Sequence, residues 1–89
     1  MQIYFTEEFK NELEKINKKK PKLSLKIRRQ LNIFKNNPQH PSLKLHKLKG
    51  SLKNTWSISV TRSFRLLYSS TNGYYEFFDL GEHDRVYKN

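Results

Sequence analysis

The sequence predicts an α+β fold in the order β-α-α-β-β-β, with a helical hairpin packed on one face of a small, twisted, mainly antiparallel sheet. Three observations carry this. Apolar residues recur at helical spacing from Phe9 to Phe34. The spacing changes to alternation from Leu43 onward. Asn72-Gly73 then marks a tight turn between two apolar runs.

The elements follow in order. Gln2 to Phe5 alternates and is rich in β-forming residues, so it reads as a first strand. Thr6 is a natural N-cap, and Glu7 and Glu8 suit the positive end of a helix dipole. Phe9, Leu13 and Ile16 fall on one helical face, and Lys18-Lys19-Lys20 suits the negative end. Pro21 fits the first position of a second helix, whose stripe is Leu23, Ile27, Leu31 and Phe34. Asn36, Asn37, Pro38 and Pro41 stop it. Leu43, Leu45 and Leu48 surround His46 and Lys47, and Gly50 turns the chain. Trp56, Ile58 and Val60 alternate with Ser57, Ser59 and Thr61, which predicts a strand with one buried face. Phe64 to Tyr68 and Tyr74 to Leu80 complete the sheet, leaving its second face partly uncovered.

With 89 residues and no internal repeat or linker, residues 1–89 read as one domain. The lack of cysteine excludes a disulfide framework and thiolate metal sites. The start lacks the pattern of a signal peptide, and no apolar run is long enough for a bilayer, so a cytoplasmic protein without a membrane partner is expected. The net charge of +10 is unevenly placed. Residues 1–20 carry +1, residues 21–53 carry +9 with no acid, and residues 54–89 carry zero. A surface that merely solubilises mixes its signs, whereas a concentrated positive field draws polyanions, which predicts RNA as a ligand.

The segment 81–89 puts His83, Asp84, Arg85 and Tyr87 within five positions, all able to move protons or hold phosphate. Arg65 lies mid-strand, and if Leu66 and Tyr68 are on one face it lies on the other. A charge there needs solvent, a phosphate or a pair with Glu76 or Asp79. The acids are too scattered for a two-metal nuclease, no glycine-rich phosphate loop is present, and the three histidines lack structural-zinc spacing, so no cofactor and no metal are expected.

Several motifs carry a family resemblance. The segment Leu45-His46-Lys47-Leu48-Lys49-Gly50-Ser51-Leu52, the pair Trp56-Ser57-Ile58-Ser59-Val60 and Phe64-Arg65-Leu66-Leu67-Tyr68, and the ending Asp79-Leu80-Gly81-Glu82-His83-Asp84-Arg85-Val86-Tyr87 together resemble the RelE/ParE superfamily of type II toxin–antitoxin toxins. The His-rich, YafQ-like endonuclease branch is the nearer match, with His46, His83 and Tyr87 at its motif positions. The sequence departs from that branch where its central-strand His or Lys falls near Ser57 or Ser59, and where a following acid is replaced by Arg62 or Ser63.

The resemblance implies a ribosome-dependent, metal-independent mRNA endonuclease that inhibits translation, with mRNA, the ribosome and a cognate antitoxin as partners. It also admits a ParE-like inhibitor of DNA gyrase without nuclease activity, against which His46, His83 and Tyr87 argue, and the two serines admit a catalytically impaired RNA-binding module. Metal-free RNA cleavage needs a base for the 2′-OH, a cation for the phosphorane and an acid for the 5′-oxygen. On the nuclease reading the catalytic set is His83 and His46 for proton transfer or phosphate contact, Arg65 for the phosphorane and Tyr87 for stacking or phosphate orientation. Lys47, Lys49, Lys53, Arg62 and Arg85 are expected to bind RNA phosphates. His40, in a loop before Pro41, is expected to be structural.

Overall fold

The computed structural model describes residues 2–49 and 54–86, and of Arg85 the backbone only. Lys53, Tyr87 and the Gly50 turn, all singled out above, lie outside the described residues. The chain runs β1 (Gln2–Phe5), α1 (Glu7–Lys19), α2 (Pro21–Asn36), a 3-10 turn (Pro41–Leu43), β2 (His46–Lys47), β3 (Thr55–Ser59), β4 (Phe64–Thr71), β5 (Tyr74–Glu82) and α3 (His83–Val86). The five strands form one sheet in the order β1-β5-β4-β3-β2. Only β1 and β5 pair in parallel; the other neighbours are antiparallel. The predicted α+β architecture is therefore the observed one, with a short β2 and a final helical turn added.

Local chemistry sets the helices. The Thr6 hydroxyl accepts from the Phe9 amide at 3.1 Å, satisfying one of the free donors of α1. Pro21 opens α2 directly after Lys20, so the helices form a hairpin. Asn17 ties it, its side-chain oxygen accepting from the Ser24 hydroxyl at 3.1 Å. The stripe of α2 faces the sheet, and Ile27 and Phe34 are fully buried. Phe34 meets Tyr68, Tyr75 and Phe77 edge-on at centroid distances of 4.9, 5.0 and 5.2 Å, so an aromatic cluster welds α2 to β4 and β5. Gln30, buried on the same helix, donates to the Ser59 carbonyl at 2.7 Å and the Ser42 carbonyl at 3.3 Å, fixing the end of β3 and the 3-10 turn to α2.

The β4–β5 hairpin turns at Asn72 (φ 45°) and Gly73 (φ 84°), the two positive values an Asn-Gly hairpin turn needs. Farther along, Leu67 pairs with Asp79 and Tyr68 with Phe77, so Phe78 is an extra residue on β5. This β-bulge keeps Phe77 and Leu80 in the main core while Phe78 turns to the opposite face. There it joins Leu48, Leu67 and Val86 in a second, smaller apolar cluster.

One expectation is corrected. The strand β3 is buried on both faces, since Ser57 and Ser59 are buried as well as Ile58. Residues 83–86 form a helical turn, in which Val86 turns inward to meet Leu48 and Leu67.

Candidate active site

The face of the sheet away from the helices collects Ser57 from β3, Arg65 and Leu67 from β4, and Asp79 from β5. Leu66 and Tyr68 point to the helices, so parity puts Arg65 on this open face, as the sequence predicts. His46 pairs with Ser57 and therefore shares that face. Lys47 pairs with Trp56 and takes the other side, its Nζ lying 5.5 Å from the indole centroid. The structure thus brings His46 together with Arg65 and separates Lys47 from both.

Arg65 is held in a defined pose. Its Nε donates to Ser57 Oγ at 3.0 Å, and its Nη2 donates to the Lys44 carbonyl at 2.7 Å and the Ser57 carbonyl at 3.4 Å. The guanidinium, rooted on β4, consequently leans over β3 toward His46. Lys44 has φ 46°, a left-handed conformation uncommon for a residue with a side chain, and its carbonyl is one of the acceptors. The serine hydroxyl and two backbone carbonyls thus fix the pose of a permanent cation.

His83 begins α3 at the end of β5. Its amide donates to the Ser63 carbonyl at 2.6 Å, and its half-exposed imidazole Nδ1 lies 3.7 Å from the Asp84 carboxylate. The helical turn permits this neighbour contact, which an extended strand would not favour. Gly81, two residues earlier, pairs with Arg65 and has φ 153°, where a side chain would be strained. His83 thus follows the strand adjacent to Arg65. His46 sits on β2, three strand spacings from β5, or roughly 14 Å. Arg65 is rooted on β4, which lies between β5 and β2 in the sheet.

The remaining predicted residues fall elsewhere. Lys49 is exposed beyond β2, and Arg62 is exposed in the β3–β4 turn. His40 accepts from the Ser42 amide at 3.1 Å and caps the 3-10 turn, the structural role expected of it. Sequence reasoning missed Ser57 as the residue that positions Arg65. The parity of positions 57 and 65 carried the signal, but the β3–β4 register was needed to pair them. Among the described residues no group of three or more histidines and acids could hold a metal ion, and no helix is long and apolar enough to cross a membrane.

Comparison with known proteins agrees with this fold. The family model described as the ParE-like toxin domain matches residues 21–88. No curated protein matches the sequence. The structure is similar to YafQ from E. coli strain BL21(DE3), with 22% identity, 98% of each chain covered and a TM-score of 0.78. It is similar to the YoeB/ParE toxin from Agrobacterium tumefaciens, with 22% identity, 93% of this chain and 99% of that one covered and a TM-score of 0.77. It is also similar to a chain of the E. coli DinJ-YafQ toxin-antitoxin complex, with 24% identity, 98% of this chain and 97% of that one covered and a TM-score of 0.70. With a family model spanning most of its length and the YoeB/YafQ fold throughout, the chain belongs to the family of ParE-like toxin domains.

Proposed function

We propose that this toxin is a metal-independent endoribonuclease that cuts mRNA on the ribosome and is neutralised by a cognate antitoxin. The observation that carries the reading is the posed Arg65 guanidinium on the face of the sheet that His46 shares. In-line displacement at a phosphate drawn to Arg65 requires a proton-transfer group on each flank, the parts we give to His46 and His83. One imidazole takes the 2′-OH proton, the 2′-oxygen attacks phosphorus, and the phosphorane charge develops against the guanidinium. The other imidazole protonates the departing 5′-oxygen. The products are a 2′,3′-cyclic phosphate and a 5′-hydroxyl. We assign His83 and His46 to proton transfer, and Arg65 to phosphorane stabilisation. Tyr87 is assigned to stacking or phosphate orientation. Lys49, Lys53 and Arg85 are assigned to backbone contacts, and Lys47 to such a contact from the helix side of the sheet. Ser57 cannot exchange protons at neutral pH, so it takes no acid–base part. An antitoxin is supported by the relatives crystallised as DinJ-YafQ and YoeB-YefM complexes, and the basic surface suits an acidic segment.

The test is induction in growing cells with pulse labelling. Protein synthesis should fall before DNA synthesis, with mRNA cut. Early failure of DNA synthesis with intact mRNA would establish the gyrase reading instead.

A further inference from the structure

A second basic surface lies on the helix side of the sheet. The α2 helix, the 3-10 turn and the β3–β4 turn enclose an open groove of about 600 Å³. Lys26 and Arg29, one turn apart on α2, line it from one side, and Arg62 lines it from the other. No acidic residue lines it. Among the described residues none of these three cations is in an ion pair.

The walls are rigid. Gln30 ties α2 to Ser59 and Ser42. The Ser59 hydroxyl donates to the Thr61 carbonyl at 2.8 Å, and Thr61 Oγ1 accepts from the amides of Ser63 and Phe64 at 3.3 and 3.1 Å. Arg62 therefore projects from a braced turn. The same turn holds the candidate active site, because the Ser63 carbonyl receives the His83 amide.

We infer that this groove is a second phosphate-binding site, which grips the sugar–phosphate backbone of RNA away from the bond being cut. The inference rests on the RNA-directed reading above. Charge and lining chemistry favour RNA over an acidic protein. Arginine, lysine and hydroxyl groups are the usual partners of phosphate oxygens, and Ser42 and Thr61 supply hydroxyls beside the cations. Protein interfaces anchor on buried Trp, Tyr and Arg side chains, and the groove has no Trp, Tyr or Phe, its one ring being the exposed imidazole of His40. Contacts to phosphate carry no sequence information directly, so the grip is independent of sequence. The groove thus adds affinity and fixes how the RNA body sits, while the open face does the chemistry.

The test uses the full-length toxin and a single-stranded RNA fully 2′-O-methylated, which no 2′-OH mechanism can cut. Its dissociation constant is measured against salt for the wild type, for Lys26→Gln/Arg29→Gln/Arg62→Gln, and for Lys15→Gln/Lys18→Gln/Lys19→Gln, which removes the same charge from α1. The groove variant should bind about tenfold more weakly, and its log–log salt slope should fall by about 2, as expected for two to three lost phosphate contacts. The α1 variant should keep the wild-type slope. Equal losses in both variants, or in neither, would overturn the site. So would unchanged RNA affinity with loss of antitoxin binding, which would make the groove a protein-docking surface. Arg62→Gln alone, a change in an exposed turn, repeats the comparison if the triple variant does not fold; an unchanged salt slope there would likewise overturn it. A wild type that binds the uncleavable RNA through the groove but never cuts ordinary RNA would refute the nuclease reading and leave the groove standing.

Discussion

Ser57 and Arg65 are bonded across adjacent strands, Arg65 Nε donating to Ser57 Oγ at 3.0 Å. The bond directs a guanidinium rooted on β4 over β3 and toward His46. A serine at a position where related toxins were expected to carry a proton-transfer group thus serves as a positioning residue. Ser57→Ala should lower the cleavage rate at saturating RNA by about tenfold to a hundredfold, about 1.4 to 2.7 kcal/mol of barrier. Stability should drop by only about 1 kcal/mol, the usual net value of one such bond. A purely structural serine would change the unfolding midpoint without changing kcat.

Arg65 itself should matter more. Arg65→Ala should slow saturated cleavage by about 10²–10³, the usual effect of removing one donor that stabilises developing charge. Arg65→Lys should recover only part of the rate, because an ammonium cannot keep both the Ser57 and Lys44 bonds while offering a fork to phosphate. Single-turnover kinetics on wild type and both variants check this, and full rescue by lysine would remove the geometric argument.

Val86 anchors the turn that carries His83. It is buried against Leu48 and Leu67, and the helical turn it closes begins at His83. Val86→Asp should undock that turn, because a carboxylate cannot be buried there without a partner. The main core around Phe34 and Phe77 is separate, so cooperative unfolding should persist while cleavage is lost. Hydrogen exchange of residues 83–86 measures the undocking. An active Val86→Asp protein would show that His83 needs no fixed seat.

Tyr68 gives a pH signature. Burial, reinforced by nearby Tyr75, pushes the ionisation of its phenol well above the ordinary range for tyrosine. The folded state thus binds the phenolic proton more tightly than the unfolded one. The associated stability is fully present below about pH 10, the unfolded value, and is lost as pH rises above it. Denaturant unfolding at pH 8 and pH 11 should show a smaller alkaline loss for Tyr68→Phe than for wild type. Equal losses would mean that Tyr68 titrates freely.

Much of the fold was legible because its signals are local. Thr6 caps α1, Pro21 opens α2, and Asn72-Gly73 makes the hairpin turn, each set by neighbouring residues. Arg65 could be assigned to the open face from its own strand alone. The burial of Ser57, the bulge at Phe78 and the pairing of His46 with Ser57 depend on register between strands. Period-two alternation gives the face of a residue but not its partner. Lys47 illustrates the cost, since adjacency to His46 in sequence placed it on the opposite side of the sheet. The groove of Lys26, Arg29 and Arg62 was invisible for the same reason, its sides lying far apart in sequence.

The central claim is that this toxin cuts RNA by proton transfer at His83 without a metal ion. The direct measurement is cleavage of ribosome-bound mRNA by purified wild type and His83→Ala, with the new ends identified. The account predicts 2′,3′-cyclic phosphate and 5′-hydroxyl ends from the wild type. It predicts a rate lower by about 10²–10⁴ for His83→Ala, the usual contribution of one acid–base group. Ends bearing 5′-phosphate and 3′-hydroxyl from the wild type, the mark of attack by metal-activated water, or wild-type cleavage by His83→Ala, would contradict it.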